Sequence, residues 1–139
     1  MDWKECLSKR IAKKVNLDEN LINSLIKTSE NKLKSSDKLD INNITANSKF
    51  ILAYDSLREI LEALALKNGF KIYNHEGHTA FLKEILKKSD DGDEFDEIRK
   101  VRNDVNYYGK DINMQEAEDI IKRECYIFRK RKASLSKNR

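Results

Sequence analysis

The sequence contains no proline, four glycines, two cysteines, two histidines and one tryptophan in 139 residues. So little glycine and no proline exclude a collagenous chain or a Pro/Gly-rich linker, and argue against an all-β domain, which needs many tight turns. No stretch approaches the ~18 uninterrupted apolar residues of a membrane-spanning helix, so no membrane partner is expected. The opening residues, Met1-Asp2-Trp3-Lys4-Glu5, lack a basic lead followed by an apolar core, and no signal peptide is expected. Cys6 and Cys125 stand far apart and form no Cys-x-x-Cys pair. They are expected to be reduced thiols packed on helices of a cytoplasmic protein.

What is present is charge and helical periodicity. Charged residues make up 37% of the chain and hydrophobic ones 39%, enough for one core in a single domain. The net charge of +4 is unevenly spread. Residues 129–139 carry Arg129, Lys130, Arg131, Lys132, Lys137 and Arg139 with no acid, so residues 1–128 sum to about −2. The basic character therefore belongs to a C-terminal tail. It is read either as a solvated, frayed helix end suited to the helix dipole, or as a nucleic-acid contact.

The apolar pattern is helical throughout and predicts an all-α antiparallel bundle of five to six helices. One domain is expected over 1–128, with N-terminal helices in 2–34, a core over 44–128 and the basic tail beyond. Asp2 caps a first helix carrying Trp3, Leu7, Ile11 and Val15. Asp18 caps a second, with Leu21, Ile22, Leu25, Ile26 and Leu33, and polar residues 35–43 read as a connector. The third helix, about 44–67, repeats Phe50, Tyr54, Leu57, Leu61 and Leu64, with Ile51, Leu52 and Leu66 on its opposite side. A helix apolar on two faces is central or shared with a partner. Asn68-Gly69 ends it, and residues 70–75 form a connector. A fourth helix holds Thr79, Phe81, Leu82, Ile85 and Leu86, and residues 89–93 form a turn. A fifth buries Phe95, Ile98, Val101, Val105 and Tyr108 up to Gly109, and Asn113 with Glu116 opens a sixth.

The fifth helix carries the most chemical information. Arg99, Arg102 and Asn106 form a stripe beside its apolar face, with Asn103 at the edge. Planar guanidiniums and amides at an apolar border suit phosphate oxygens. The competing reading is ordinary pairing of these arginines with Asp96, Glu97 or acids on the third helix. Asp55, Arg58 and Glu62 project from one side of the third helix. Tyr73, Tyr107 and Tyr108 can stack on bases or pack half-buried.

Three segments resemble the HEPN superfamily of small helical proteins, over roughly the last two thirds of the chain. These are the third helix from Ala53-Tyr54-Asp55 to Asn68-Gly69, the connector Phe70 to His75, and Ile98-Arg99-Lys100-Val101-Arg102-Asn103-Asp104-Val105-Asn106-Tyr107-Tyr108-Gly109. The last is similar to that family's Arg-Asn…His-x-Tyr signature. The resemblance implies an antiparallel helical fold that commonly dimerises, with the signature helices of two protomers facing one cleft. It also implies metal-independent RNA cleavage in some members, binding of RNA, nucleotides or proteins in others, and in some a small nucleotidyltransferase partner acting as antitoxin, able to modify the signature Tyr. Arg102 and Asn103 match the signature. Asn106 stands at the His position with Tyr108 at the Tyr position; a second alignment puts Tyr107 at the His position and leaves the final Tyr unmatched. Active members often carry an acid on the third helix near the signature Arg, for which Asp55 is the candidate to orient Arg102, or else a surface acid paired with Lys or Arg.

A proton must leave the 2′-OH and reach the leaving oxygen when RNA is cleaved. Histidine, with a pKa near ~6.5, does this at neutrality, whereas Asn does not titrate and Tyr starts near ~10. His75 is expected to help cap the connector and His78 to face solvent. His75-Glu76-Gly77-His78 supplies two metal ligands where zinc takes three or four, so no metal and no cofactor is expected. The leading expectation is a homodimeric binding cleft for RNA or a nucleotide, lined by Arg99, Arg102, Asn103, Asn106, Tyr107, Tyr108 and Asp55, without a proton shuttle. Its setting would be a toxin–antitoxin or defence module. The rivals are a metal-independent endoribonuclease using Arg102 with Tyr107 or Tyr108, and a structural protein-interaction domain.

Overall fold

The computed structural model describes residues 1–137, and of residues 136 and 137 the backbone alone. The chain forms an all-α bundle with one small two-stranded sheet. Its elements are α1 (Trp3–Ser8), β1 (Ala12–Lys14), α2 (Glu19–Lys38), α3 (Ala46–Lys67), β2 (Phe70–Ile72), α4 (His75–Ala80, continued by a π-helical turn, Phe81–Ile85), α5 (Ser89–Tyr108) and α6 (Met114–Lys137). Among the described residues no helix is long and apolar enough to cross a membrane.

The two-faced apolar pattern of α3 has a simple outcome: α3 is central. Phe50, Tyr54, Leu57, Ile60, Leu61, Ala63 and Leu64 are fully buried, and α2 and α6 pack along it. Ala46, Ala53, Ser56 and Ala65 are also sealed in. The caps fall where the sequence places them. The Asp2 carboxylate accepts from Glu5 N, Asp18 from Leu21 N, and the Asn113 side chain from Glu116 N. These bonds satisfy amides that the first helical turn leaves unpaired.

Four expectations need correction. The first helix stops at Ser8, because Arg10 takes a positive φ of 58° and Ala12 to Lys14 run extended. Ala12 pairs with Ile72 and Lys14 with Phe70, antiparallel, so residues 70–72 are a strand rather than an irregular connector. Pairing with a second β-prone segment outweighs helix periodicity in so short a stretch. Secondly, α2 runs on through Lys38 instead of ending before residue 35. The buried Ser36 hydroxyl donates to Lys49 O (2.9 Å), tying that polar turn to α3. Thirdly, residues 89–93 are the first turn of α5, with Asp90 and Asp91 at its positive end. Lastly, Val101 and Val105 are half-buried and Tyr108 is 81% exposed, so the buried stripe of α5 ends at Ile98.

As far as Lys137 the basic segment is helical rather than frayed. α6 continues without a break to Lys137, Leu135 is buried in the main core, and Arg131 is 4% exposed. Arg131 Nε lies 3.2 Å from Asp91 Oδ2, an ion pair by distance that is not aligned as a hydrogen bond. Lys132 pairs with Glu30 at 2.9 Å. Arg139 lies outside the described residues. Cys6 and Cys125 are free thiols on α1 and α6, as expected.

The small sheet fixes where α4 begins. Trp3 packs edge-on against Phe70 (5.1 Å between centroids), and with Cys6, Ala12, Ile72, Ala80 and Phe81 forms a second core cluster. Asn74, directly after β2, caps α4 by accepting from Gly77 N (2.8 Å). α4 then lies so close to the hairpin that a Cβ on Gly77 would stand 2.6 Å from Ile72 Cγ2. That close approach sets the position of His75 and His78.

Candidate functional site

A cavity of about 440 Å³ opens where α3, β2, α4 and α5 meet. α3 contributes Asp55, Arg58 and Glu62 from one side of the helix. β2 and the residues after it contribute Lys71, Tyr73 and Asn74; α4 contributes His75 and His78; α5 contributes Arg102.

Arg102 is held by aromatic rings and amides. Its guanidinium carbon lies 5.7 Å from the centre of the Tyr54 ring and 5.6 Å from that of Tyr107. Both distances are within reach of a cation–π attraction, strongest where water is excluded. Nη1 donates to the Tyr107 hydroxyl (3.3 Å) and reaches Asn103 Oδ1 at 3.5 Å. With its amide oxygen facing the guanidinium, Asn106 accepts from Nε (3.0 Å) and Nη2 (3.2 Å). That orientation is the one in which donors meet an acceptor. Among the described residues no carboxylate lies within ion-pair distance of Arg102. Asp55 lines the cavity but does not bond to Arg102, so the orienting is done by rings and amides rather than by that acid.

Two histidines stand on this cavity, in place of the favoured expectation of a capping His75 and a solvent-facing His78. His78 is 3% exposed, not solvent-facing, and packs edge-on to Phe95. His75 is the first residue of α4, while the cap itself is Asn74. The His75 ring is hydrogen-bonded through Nδ1 to the hydroxyl of the fully buried Tyr54. An imidazole therefore shares the cavity with Arg102, and the expected crevice without one is corrected. The signal was in the sequence as the spacing from β2 to His75, but reading it required knowing that residues 70–72 pair with residues 12–14.

The electrostatics keep both rings uncharged. Burial, and after it Arg102, Arg58 and Arg99, lowers the pKa of His75 from 6.5 to about 4. Burial, and after it His75 and Arg58, takes His78 down to about 3. Burial pushes the Tyr54 phenol well above its ordinary value, with Arg102 the largest opposing influence, so its proton stays on. At neutral pH the cavity holds the cations Arg102, Arg58 and Lys71, neutral imidazoles and the two acids Asp55 and Glu62. Glu62 is occupied by Arg58 (3.0 Å) and Lys71 (3.9 Å).

The remaining candidates separate. Arg99 turns to Asp96, with Nη2 at 2.8 Å and Nε at 3.1 Å from its carboxylate, and faces a different cavity beside Glu76, Lys83 and Lys100. The ordinary pairing is thus the outcome for Arg99 and not for Arg102. Tyr107 reaches the site through Arg102, though 68% of it is exposed; Tyr108 points to solvent and takes no part. Tyr73 lines the cavity mouth, with Lys13 and Lys71 each 5.9 Å from its ring centre. Tyr54, read as plain core, and His75 are the functional residues missed. Among the described residues no cluster of His, Cys, Asp and Glu is arranged to hold a metal ion. Chemically, the arrangement can grip an anion with directed donors, and it has a titratable ring within the same cavity. No protein-family model matches the chain, and no curated protein matches it.

Proposed function

We propose that this chain is a binding module for a phosphate-bearing ligand, RNA or a nucleotide, seated in the cavity of Arg102, Arg58 and His75, with RNA cleavage weak or absent. One observation carries the reading: Arg102 is oriented by Tyr54, Tyr107 and Asn106 while no carboxylate neutralises it. A guanidinium fixed in this way has charge to spare for an oxyanion, and its planar donors match two phosphate oxygens. Weak catalysis follows from His75. Its pKa of about 4 makes it a poor proton donor to a leaving oxygen at neutral pH and a weak base toward a 2′-OH. The test is binding of a labelled single-stranded RNA and of nucleoside monophosphates to wild type and Arg102→Ala. A loss of about 10–100-fold is expected, the worth of one charge-assisted contact. Equal affinity in the two proteins overturns the reading.

His75 itself favours a second reading, a metal-independent endoribonuclease using Arg102 and His75, with Tyr107 near the guanidinium. RNA cleavage in EDTA that is faster at pH 5 than at pH 7, and lost in both Arg102→Ala and His75→Ala, would establish it in place of the binding-only reading. The resemblance to HEPN proteins extends the proposal to a homodimer and to a small nucleotidyltransferase partner in a toxin–antitoxin or defence module. That extension rests on analogy of sequence. Light scattering on the purified chain tests the dimer.

A further inference from the structure

We infer that Tyr54 is a positioning residue: its hydroxyl donates to His75 Nδ1 and thereby fixes the proton of the imidazole on Nε2, the edge left to the cavity, making His75 a hydrogen-bond donor to the ligand. Tyr54 is fully buried, stacked on Phe95 (5.8 Å between centroids, 13° between planes) and covered by Arg102. Its O–H has one partner among the described residues, His75 Nδ1. A buried hydroxyl hydrogen needs an acceptor, and an Nδ1–H tautomer would leave this one without any. The phenol keeps its proton, since burial opposes a phenolate there. Nδ1 must then be the lone-pair nitrogen, and a neutral ring carries its proton on Nε2.

The consequence concerns what the cavity can accept. With Arg58 and Lys71 turned to Glu62, Arg102 and an Nε2–H ring are the donors left beside the Asp55 carboxylate, and together they suit an acceptor such as a phosphate oxygen. The ring contributes without carrying charge, because burial and the neighbouring guanidiniums hold it deprotonated at neutral pH. Only the ligand part of this inference rests on the proposed function; the tautomer does not.

The experiment therefore has two arms. Long-range ¹H–¹⁵N correlation spectra of the histidine rings, recorded at pH 7 without ligand, read the tautomer in wild type and in Tyr54→Phe. Wild type is expected to show His75 with a lone pair on Nδ1 and a proton on Nε2, and Tyr54→Phe to show a mixed or reversed pattern. A wild-type Nδ1–H ring, or an unchanged pattern in Tyr54→Phe, overturns the inference whatever the ligand. The second arm measures affinity for inorganic phosphate and adenosine monophosphate. Tyr54→Phe is expected to weaken both several-fold and His75→Ala to weaken both at least as much. If the tautomer is as stated but Arg102→Ala binds phosphate like wild type, the proposed function fails and the positioning role stands. If Arg102→Ala weakens binding and the tautomer is reversed, the outcome is the opposite.

Discussion

Arg131 and Arg102 are both partly enclosed arginines on long helices, and they have opposite surroundings. Arg131 faces Asp91, and the two side chains are 5% and 8% exposed. Arg123 on the same helix is likewise engaged, by Glu94 and Glu97. Arg102 is ringed by Tyr54, Tyr107 and Asn106, which orient it without cancelling its charge. A guanidinium closed by a carboxylate from another helix ties the two helices together, whereas one steadied by aromatic faces and amides keeps an uncancelled positive charge.

The comparison can be broken at either end. The largest expected effect is on stability. Arg131→Ala leaves Asp91 enclosed with Lys130, at 3.8 Å, its one remaining cationic partner among the described residues, and loss of one partner from a buried pair costs about 3–5 kcal/mol. Chemical denaturation should show that loss, with ligand affinity of the folded fraction unchanged. Arg102→Ala should do the reverse: about 10–100-fold weaker phosphate binding with a denaturation midpoint close to wild type. If both variants lose stability equally, the two arginines have one role and the contrast fails.

Acid supplies a third expectation. His78 has a folded pKa of about 3 against an ordinary value of 6.5, so the unfolded chain binds the additional proton between those values. Stability tied to the neutral ring is therefore complete above about pH 6.5 and is lost progressively as the pH falls toward 3. His75 adds to the same slope over its upper part, down to about pH 4. Denaturation midpoints between pH 7 and 4 should fall less steeply in His78→Gln than in wild type; parallel curves would remove His78 from this account. The smallest effect is expected at Tyr108. It is exposed and outside the cavity, so Tyr108→Ala should change stability by less than about 0.5 kcal/mol and leave ligand affinity within about twofold. A loss comparable to Arg102→Ala would return Tyr108 to the site.

Much of the fold was legible in the sequence because long helices repeat their signals. The stripe from Phe50 to Leu64, the caps Asp2, Asp18 and Asn113, and the stop at Gly109, which takes a left-handed φ of 67°, all lie within one turn of their effect. The β1–β2 pair was not legible, since residues 12–14 and 70–72 acquire their conformation from each other across most of the N-terminal half. The site divides in the same way. Arg102 and Asn106 sit close together on α5 and are found by spacing, and Tyr107 by its aromatic ring and the resemblance to the family signature. Arg99 was found by the same spacing and is bound to Asp96, three residues earlier, a choice that helical periodicity cannot make. His75 and Tyr54 meet only because α4 is seated on the small sheet, with Gly77 permitting the approach. The tail was misread because composition does not reveal that Arg131 and Leu135 turn inward.

The central claim is that Arg102 and His75 face a ligand while Arg123 and Arg131, each closed by carboxylates of another helix, do not. Titrating ¹⁵N-labelled protein with adenosine monophosphate and following the arginine Nε and histidine ring signals tests it directly. Saturable shifts are expected at Arg102 and His75, with Arg123 and Arg131 unmoved. Shifts confined to the α6 arginines, or absent from Arg102 at saturation, would contradict it.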